Sequence, residues 1–360
     1  MEDSFAEQIV PGTFIRVQSE GLIAPKGVSF GNVGILGTAA AATGVTDAIG
    51  VTHILGSMED AARRYAASDA LSAGTLNLMR GLALLFANGA RTVYSHALAT
   101  GANQAAFTAG ASELLKEDIN ILIAPELATA TAKTVLQAAL ESAENNAKDM
   151  ISVIGADAAT TTAIKNQVTA NKRVVLVTPG VQAYDPAADA IVNLPGNYTA
   201  AAVAGLIASL APQSSPTNKV LPGVGALATR YSYGELKDLL QGNVCPLEDR
   251  QGIRVVRGIT TEGAAFLQIT TRRIVDFAKA GIRQVANPFI GRLNNERVRK
   301  ALHGALDGFL TTMVVDEALT GYQLEVKASR IDEIAGRCIV NVAMQPTFSI
   351  DYIRVTLALS

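Results

Sequence analysis

The sequence predicts an α/β chain. A strand–helix alternating domain is joined to an α+β C-terminal domain, with an extended strand arm at each end. Three observations lead there. From about residue 28, short apolar runs alternate with helical stretches, and continuous apolar runs suit strands covered on both faces, as in a mostly parallel sheet. After the loop Ala211-Pro212-Gln213-Ser214-Ser215-Pro216-Thr217-Asn218 the texture changes to a hairpin and two long amphipathic helices. Both ends of the chain read as extended segments without a local partner.

Within residues 1–20, Thr13-Phe14-Ile15-Arg16-Val17 follows Pro11-Gly12 and has no hairpin mate nearby, so it reads as an arm. Residues 21–211 form the α/β domain. Its expected strands are Val33–Thr38, Thr92–Ala97, Ile119–Ala124, Met150–Ile154 and Arg173–Val177. Its expected helices are Gly74–Asn88, Thr134–Ala147 and Thr199–Leu210; in the second, Val135, Leu136, Ala139, Leu140 and Ala143 share one face. Residues 212–345 form the C-terminal domain. It opens with a helix at Tyr233–Gln241 and a hairpin of Val244–Leu247 and Ile253–Arg257 around Asp249-Arg250-Gln251-Gly252. Helices then follow at Thr270–Ala286 and Asn295–Val314, the second capped by Asn294 or Asn295. Strands at Tyr322–Lys327 and Cys338–Met344 complete the domain. Residues 346–360 are the second arm, with Phe348–Leu359 as its strand.

Composition narrows the function. The chain has 360 residues, 49% hydrophobic and only 17% charged, with no Trp. Such low charge suits a surface partly covered by partners. A net charge of −2 does not favour nucleic-acid binding. Cys245 and Cys338 stand in no metal-ligand spacing and are expected to be reduced, buried thiols. The start Met1-Glu2-Asp3 lacks a signal peptide's positive charge, and the longest apolar run, Ala200–Ala211, is too short to span a bilayer. Synthesis in the cytoplasm and no membrane insertion are expected.

No constellation for chemistry stands out. His53, His96 and His303 fall in no ligand spacing with one another or with Cys. No Gly-x-Ser-x-Gly elbow or Walker-type phosphate loop is present. Gly223-Val224-Gly225-Ala226-Leu227-Ala228 fits a relaxed dinucleotide pattern but sits after the α/β domain rather than in its first strand–helix turn. Asp185 and Asp189 could ligate a cation, although capping or solvated-loop roles suit them better. Two readings compete with a structural protein: an α/β enzyme with an unrecognised site, and a nucleic-acid binder built on the basic stretch described below.

The C-terminal third resembles the contractile tail sheath family. The residues that carry this are Arg273-Ile274-Val275-Asp276-Phe277, Asn287-Pro288-Phe289-Ile290-Gly291 and Asn294-Asn295-Glu296-Arg297-Val298-Arg299, followed by Phe309-Leu310 and Gly321-Tyr322. Pro11-Gly12-Thr13-Phe14-Ile15 and Arg257-Gly258-Ile259-Thr260-Thr261 are similar to the same family; Arg257 stands where many members carry Trp. The resemblance implies a subunit that polymerises with its neighbours as stacked, sixfold rings around an inner tube protein. Baseplate and tail-terminator proteins would bound it, and contraction would drive the tube through a target envelope. It implies no cofactor, because the energy is stored at assembly. Phage tail, bacteriocin and injection system stay open as the parent particle.

Two sets of site residues follow. Strand addition to a neighbour's sheet edge gives a tether that survives rearrangement of side contacts. Phe14, Ile15 and Val17 in one arm, and Ile350, Tyr352, Ile353, Val355 and Leu357 in the other, are expected to pair with adjacent subunits. The second set lies between Thr271 and Lys300, where eight basic and two acidic side chains give a net +6. Arg272, Asp276, Lys279 and Arg283 form one helical stripe. Arg272, Lys279, Arg283, Arg299 and Lys300 are candidates to face an acidic tube; pairing with acids of the same subunit is the alternative.

Overall fold

Alternating burial along β1 (Val33–Thr38) sets the layers of the molecule: Ile35 enters one apolar core and Leu36 the other. The computed structural model describes residues 28–66, 76–185 and 189–358. After β1 come β2 (Thr52–Leu55), α1 (Met58–Arg64), α2 (Leu78–Ala87), β3 (Val93–Leu98), α3 (Gln104–Leu114), β4 (Ile121–Ile123), α4 (Thr129–Asn145), β5 (Ile151–Gly155), α5 (Thr161–Asn166) and β6 (Val174–Thr178). β7 (Val181–Asp185), β8 (Ala190–Asn193), α6 (Gly196–Ser209), β9 (Ala226–Leu227), α7 (Tyr233–Gln241), β10 (Cys245–Asp249) and β11 (Ile253–Val255) follow.

These strands build an eight-stranded sheet ordered β11-β10-β6-β5-β4-β1-β3-β2. Its six inner strands are parallel, and β11 and β2 close the two edges antiparallel. Helices cover both faces: α2 and α6 share one core with Ile35, Val153 and Val175, while α3 and α4 share the other with Leu36, Ile154 and Leu176. The closest approach lies between β5 and α6. A Cβ on Gly155 would stand 1.8 Å from the Gly196 carbonyl oxygen, so no larger residue fits there.

The remaining elements form a second body: α8 (Ile269–Ala286), α9 (Glu296–Val315), β12 (Leu319–Lys327), α10 (Arg330–Ile334) and β13 (Ile339–Pro346). α8 and α9 pack with the Phe309 ring against Gly281, whose absent Cβ would otherwise lie 1.9 Å from it. β12 and β13 form a two-stranded antiparallel ribbon. Tyr322, Leu324, Val326, Val340, Val342 and Met344 lay its apolar face on the two helices.

The fold class holds, but the boundary between the bodies differs from the expected one. The hairpin β10–β11 is not part of the C-terminal body. β10 pairs in parallel with β6, so Cys245, Leu247, Ile253 and Val255 complete the central sheet and its core. The separate C-terminal core begins only at Ile274. The helix expected at Gly74–Asn88 starts at Leu78, because Asn77 caps it by accepting from Arg80 N–H at 3.2 Å; residues 67–75 lie outside the described part. The N-terminal arm, with Phe14, Ile15 and Val17, lies outside the described residues altogether. Cys245 is buried as expected, with its thiol pushed up to about 12 by desolvation, but Cys338 is exposed.

Candidate assembly interface

The basic stripe of α8 was expected on the surface. The structure turns most of it inward, onto the α/β body. Asp149, in the loop before β5, is the hub. It accepts from Arg173 at 2.7 Å, Lys279 at 2.5 Å and Arg283 at 2.7 Å. Asp276 binds Arg272 at 2.5 Å and Arg173 at 2.9 Å. Arg272, Arg173 and Asp149 are buried, while Lys279 and Arg283 are partly exposed. Burial alone would raise the Asp149 carboxyl, yet the hydrogen bonds from Lys279 and Arg283 hold it below the usual aspartate value. Arg272 therefore cannot meet a tube while this packing holds, because its side chain lies inside the joint between the two bodies. Of the other candidates, Arg299 binds Glu333 at 2.9 Å, and Lys300 stands on the surface 2.8 Å from Glu296.

Arg273, next in sequence, turns the other way. It donates to the carbonyls of Leu210 at 2.9 Å, Ala211 at 3.2 Å and Phe30 at 3.0 Å. Leu210 and Ala211 directly follow α6, at whose C-terminus a cation complements the helix dipole. Burial pulls the Arg273 guanidinium down to about 10, so it remains charged at neutral pH. The Phe30 ring meets Phe277 edge-on at 6.3 Å. The start of the described chain is thus fastened to the first turns of α8.

The C-terminal segment is fastened to the same helix. β13 ends at Pro346, and residues 347–358 continue without entering a ladder. The expected strand Phe348–Leu359 is therefore unpaired within this chain over its described residues. Its root is fixed, however. Thr347 N–H donates to Ala318 O at 3.1 Å. Gln268, the N-cap residue of α8, accepts from Ser349 N–H at 3.1 Å and donates to Asp351 Oδ2 at 3.0 Å. Arg257 donates to the same oxygen at 2.7 Å and lies 5.2 Å from the Tyr352 ring centre. Along and beyond this root Ile350, Tyr352, Ile353, Val355 and Leu357 are each between 72% and 86% exposed. Five large apolar side chains in eight residues form an uncovered surface that a lone chain would leave in water.

The ribbon β12–β13 has open edges. Among the described residues neither strand pairs with any strand but the other, so both outer edges offer unpaired N–H and C=O groups. One face is already seated on α8 and α9; the other carries Gln323, Glu325, Lys327 and Asn341, with Asn341 donating to Glu325 at 2.9 Å.

The enzyme readings find no support in the geometry. Gly223-Val224-Gly225 leads into β9 rather than a helix, and Gly223 N–H is bound to Asn88 Oδ1 at 3.1 Å. Asp185 is buried in an ion pair with Arg80 at 3.1 Å, and Asp189 accepts from Tyr184 at 2.6 Å. Among the described residues no cluster of His, Cys, Asp or Glu is arranged to hold a metal, and no helix is long and apolar enough to cross a membrane.

Family models decide the relationship. The phage tail sheath protein central domain matches residues 100–261, and the phage tail sheath C-terminal domain matches residues 261–360. The chain belongs to the phage tail sheath family. The two matches meet at residue 261, close to where the structure separates its two bodies. Chains of several solved assemblies share the fold. One is a chain of the anti-feeding prophage baseplate, symmetrised sixfold, at 17% identity and a TM-score of 0.76; 98% of this chain and 99% of that chain are covered. Another, in the anti-feeding prophage helical sheath in its contracted state, is 19% identical with a TM-score of 0.76 over 98% and 99% of the two chains. A third, in the contracted PVC sheath complex of an extracellular contractile injection system, is 15% identical with a TM-score of 0.74 over 98% of each. No curated protein sequence matches the chain.

Proposed function

We propose that this chain is the repeating subunit of a contractile sheath, a structural protein rather than a catalyst. It assembles with copies of itself around an inner tube and contracts to drive that tube through a target envelope. One observation carries the reading: a rooted tail with its apolar side chains uncovered sits on the same body as a ribbon with two open edges. Each is what the other lacks, and geometry favours exchange between copies over closure within one.

In this reading the tail adds to the ribbon of an adjacent subunit, and residues 10–18 add to the ribbon of another. Backbone hydrogen bonds supply a tether that persists while side contacts are rearranged. Similarity to a chain of a sixfold baseplate supports sixfold rings and a baseplate partner at one end; a tail-terminator protein would close the other. A phage tail or injection-system particle made in the bacterial cytoplasm is the setting. Assembly stores the energy of contraction, so the reading requires no nucleotide or cofactor. On the tube side, the exposed Lys300 and the part-exposed Lys279, Arg283 and Arg299 are the remaining cationic candidates.

The test is deletion of residues 348–360 in the expressed chain, followed by negative-stain microscopy and ultracentrifugation. The parent should form tubes, and the deletion should leave a folded, soluble monomer. Normal tubes from the deletion variant would overturn the exchange of the C-terminal arm.

A further inference from the structure

At the far end of α8 from the tail's root lies an apolar cavity of about 300 Å³, between the α8–α9 connection and the start of β13. Phe289, Leu293, Leu302 and Val340 line it, with the exposed Cys338 at its mouth. Ile290 and Leu293 beside it are 80% and 78% exposed. Val340 is also the second residue of β13, so the cavity opens where the ribbon's edge begins.

We propose that this cavity receives the Leu357 side chain from the tail of a second copy of this chain. The proposal rests on the strand-exchange reading above and names where the exchanged arm ends. Reach excludes the chain's own tail. The root is held at Gln268 and the cavity at Ala286, eighteen residues of α8 apart, or about 27 Å along the helix. From Tyr352, five extended residues to Leu357 span at most about 18 Å. A copy whose arm lies along β13 has no such shortfall. Its root sits on its own body and not on this α8, so the same span of about 18 Å beyond its Tyr352 can start close to the ribbon, run antiparallel to the first residues of β13 and end at the mouth. Leu357 is 86% exposed in the single chain, and the cavity has room for one branched apolar side chain several times over. Burying it removes an exposed Leu from each subunit and fixes the register of the added strand, because a one-residue slip would turn Leu357 to the other face.

Native cysteine chemistry tests this in the full-length chain, since Cys338 is exposed and Cys245 is buried. Leu357→Cys tubes are oxidised with copper phenanthroline and run on a non-reducing gel. The expected result is a ladder of covalent multimers that disappears when Cys338→Ser is added. If tubes form without a ladder, while deletion of 348–360 still prevents assembly, the arm is exchanged but ends elsewhere, and the cavity proposal alone is overturned. If the deletion variant forms tubes, the exchange reading falls with it. Should Leu357→Cys fail to assemble, the unmodified chain decides. Maleimide labelling of Cys338 should be lost when tubes form from this chain alone. Labelling retained in tubes, or lost only after inner tube is added, overturns the proposal.

Discussion

Arg257 and Asp351, ninety-four positions apart, are joined by a 2.7 Å hydrogen bond in which Asp351 is almost completely buried. Arg257 belongs to the central body, and Asp351 to the tail. The position at which the family resemblance leads one to expect Trp therefore keeps a packing role here: the guanidinium covers the Tyr352 ring and adds a charge pair beneath it. Breaking this pair should free the tail without unfolding either body. Asp351→Asn is expected to weaken the root by about 1–3 kcal/mol, the cost of a buried charge-assisted bond. Limited proteolysis of the unassembled chain should then cut between residues 347 and 358 faster, by about tenfold for each 1.4 kcal/mol lost, while the urea midpoint stays put.

Asp149 holds three cations, so its removal should be felt across the joint. Asp149→Ala leaves Arg173, Lys279 and Arg283 facing one another without their shared carboxylate. Removing one side of a buried pair costs about 3–5 kcal/mol, to be read as a fall in the denaturation midpoint. The pH dependence has a defined sign. Because the folded carboxyl sits below its ordinary value of 3.8, its contribution is present above that value and is lost as the pH falls through the lower folded one. Asp149→Asn should remove this acid limb from a plot of stability against pH.

Glu126 behaves in the opposite way. It stands past the end of β4, accepting from Thr38 N–H at 2.5 Å and from the Thr38 hydroxyl at 2.8 Å. Burial raises its carboxyl to about 7, only partly opposed by these hydrogen bonds. An acid raised on folding contributes stability that is full below its unfolded value and is lost as the pH rises through the folded one. Thermal midpoints should therefore decline between about pH 4.5 and pH 7.5. Glu126→Gln should flatten that decline and be the more stable form at pH 8, by on the order of 1–2 kcal/mol. A parent midpoint unchanged between pH 5 and pH 8 would contradict this.

Gly281→Ala should damage the C-terminal body selectively. The new methyl would meet the Phe309 ring, so α8 and α9 must separate or the ring must leave its place. Overpacking of this kind costs about 1–3 kcal/mol, with more where the backbone cannot yield. Loss of near-ultraviolet ellipticity in the phenylalanine region, with the central sheet's far-ultraviolet signal retained, would check it.

Much of the fold was legible because it rests on local rules. Val33–Thr38 and Tyr233–Gln241 match their observed bounds, the first being an unbroken buried run and the second having Ser232 and Glu235 as a capping box. The hairpin was legible too, but not its owner. Its pairing with β6 joins Cys245 to Val177, a long-range choice that no turn or period announces. The charge of α8 was plain in the sequence, and its direction was not. Asp149 finds Lys279 and Arg283 130 and 134 positions away, and nothing near Asp149 in the chain distinguishes it from a solvated loop aspartate. Phe348–Leu359 read as a strand because apolar residues alternate to both faces. A strand also needs a partner, which the single chain does not supply among its described residues.

Both tethered segments are rooted on one helix. Arg273 and Phe277 hold Phe30 near the start of α8, and its N-cap Gln268 holds Ser349 and Asp351. If neighbouring copies hold both segments, as proposed, tension arriving through one leaves through the other after crossing only the stretch of α8 from Gln268 to Phe277. The eight-stranded sheet hangs beside that line of force instead of lying in it. In that proposed arrangement the sheet's body hangs like a panel on a net whose strength is set by a few side chains at the knots.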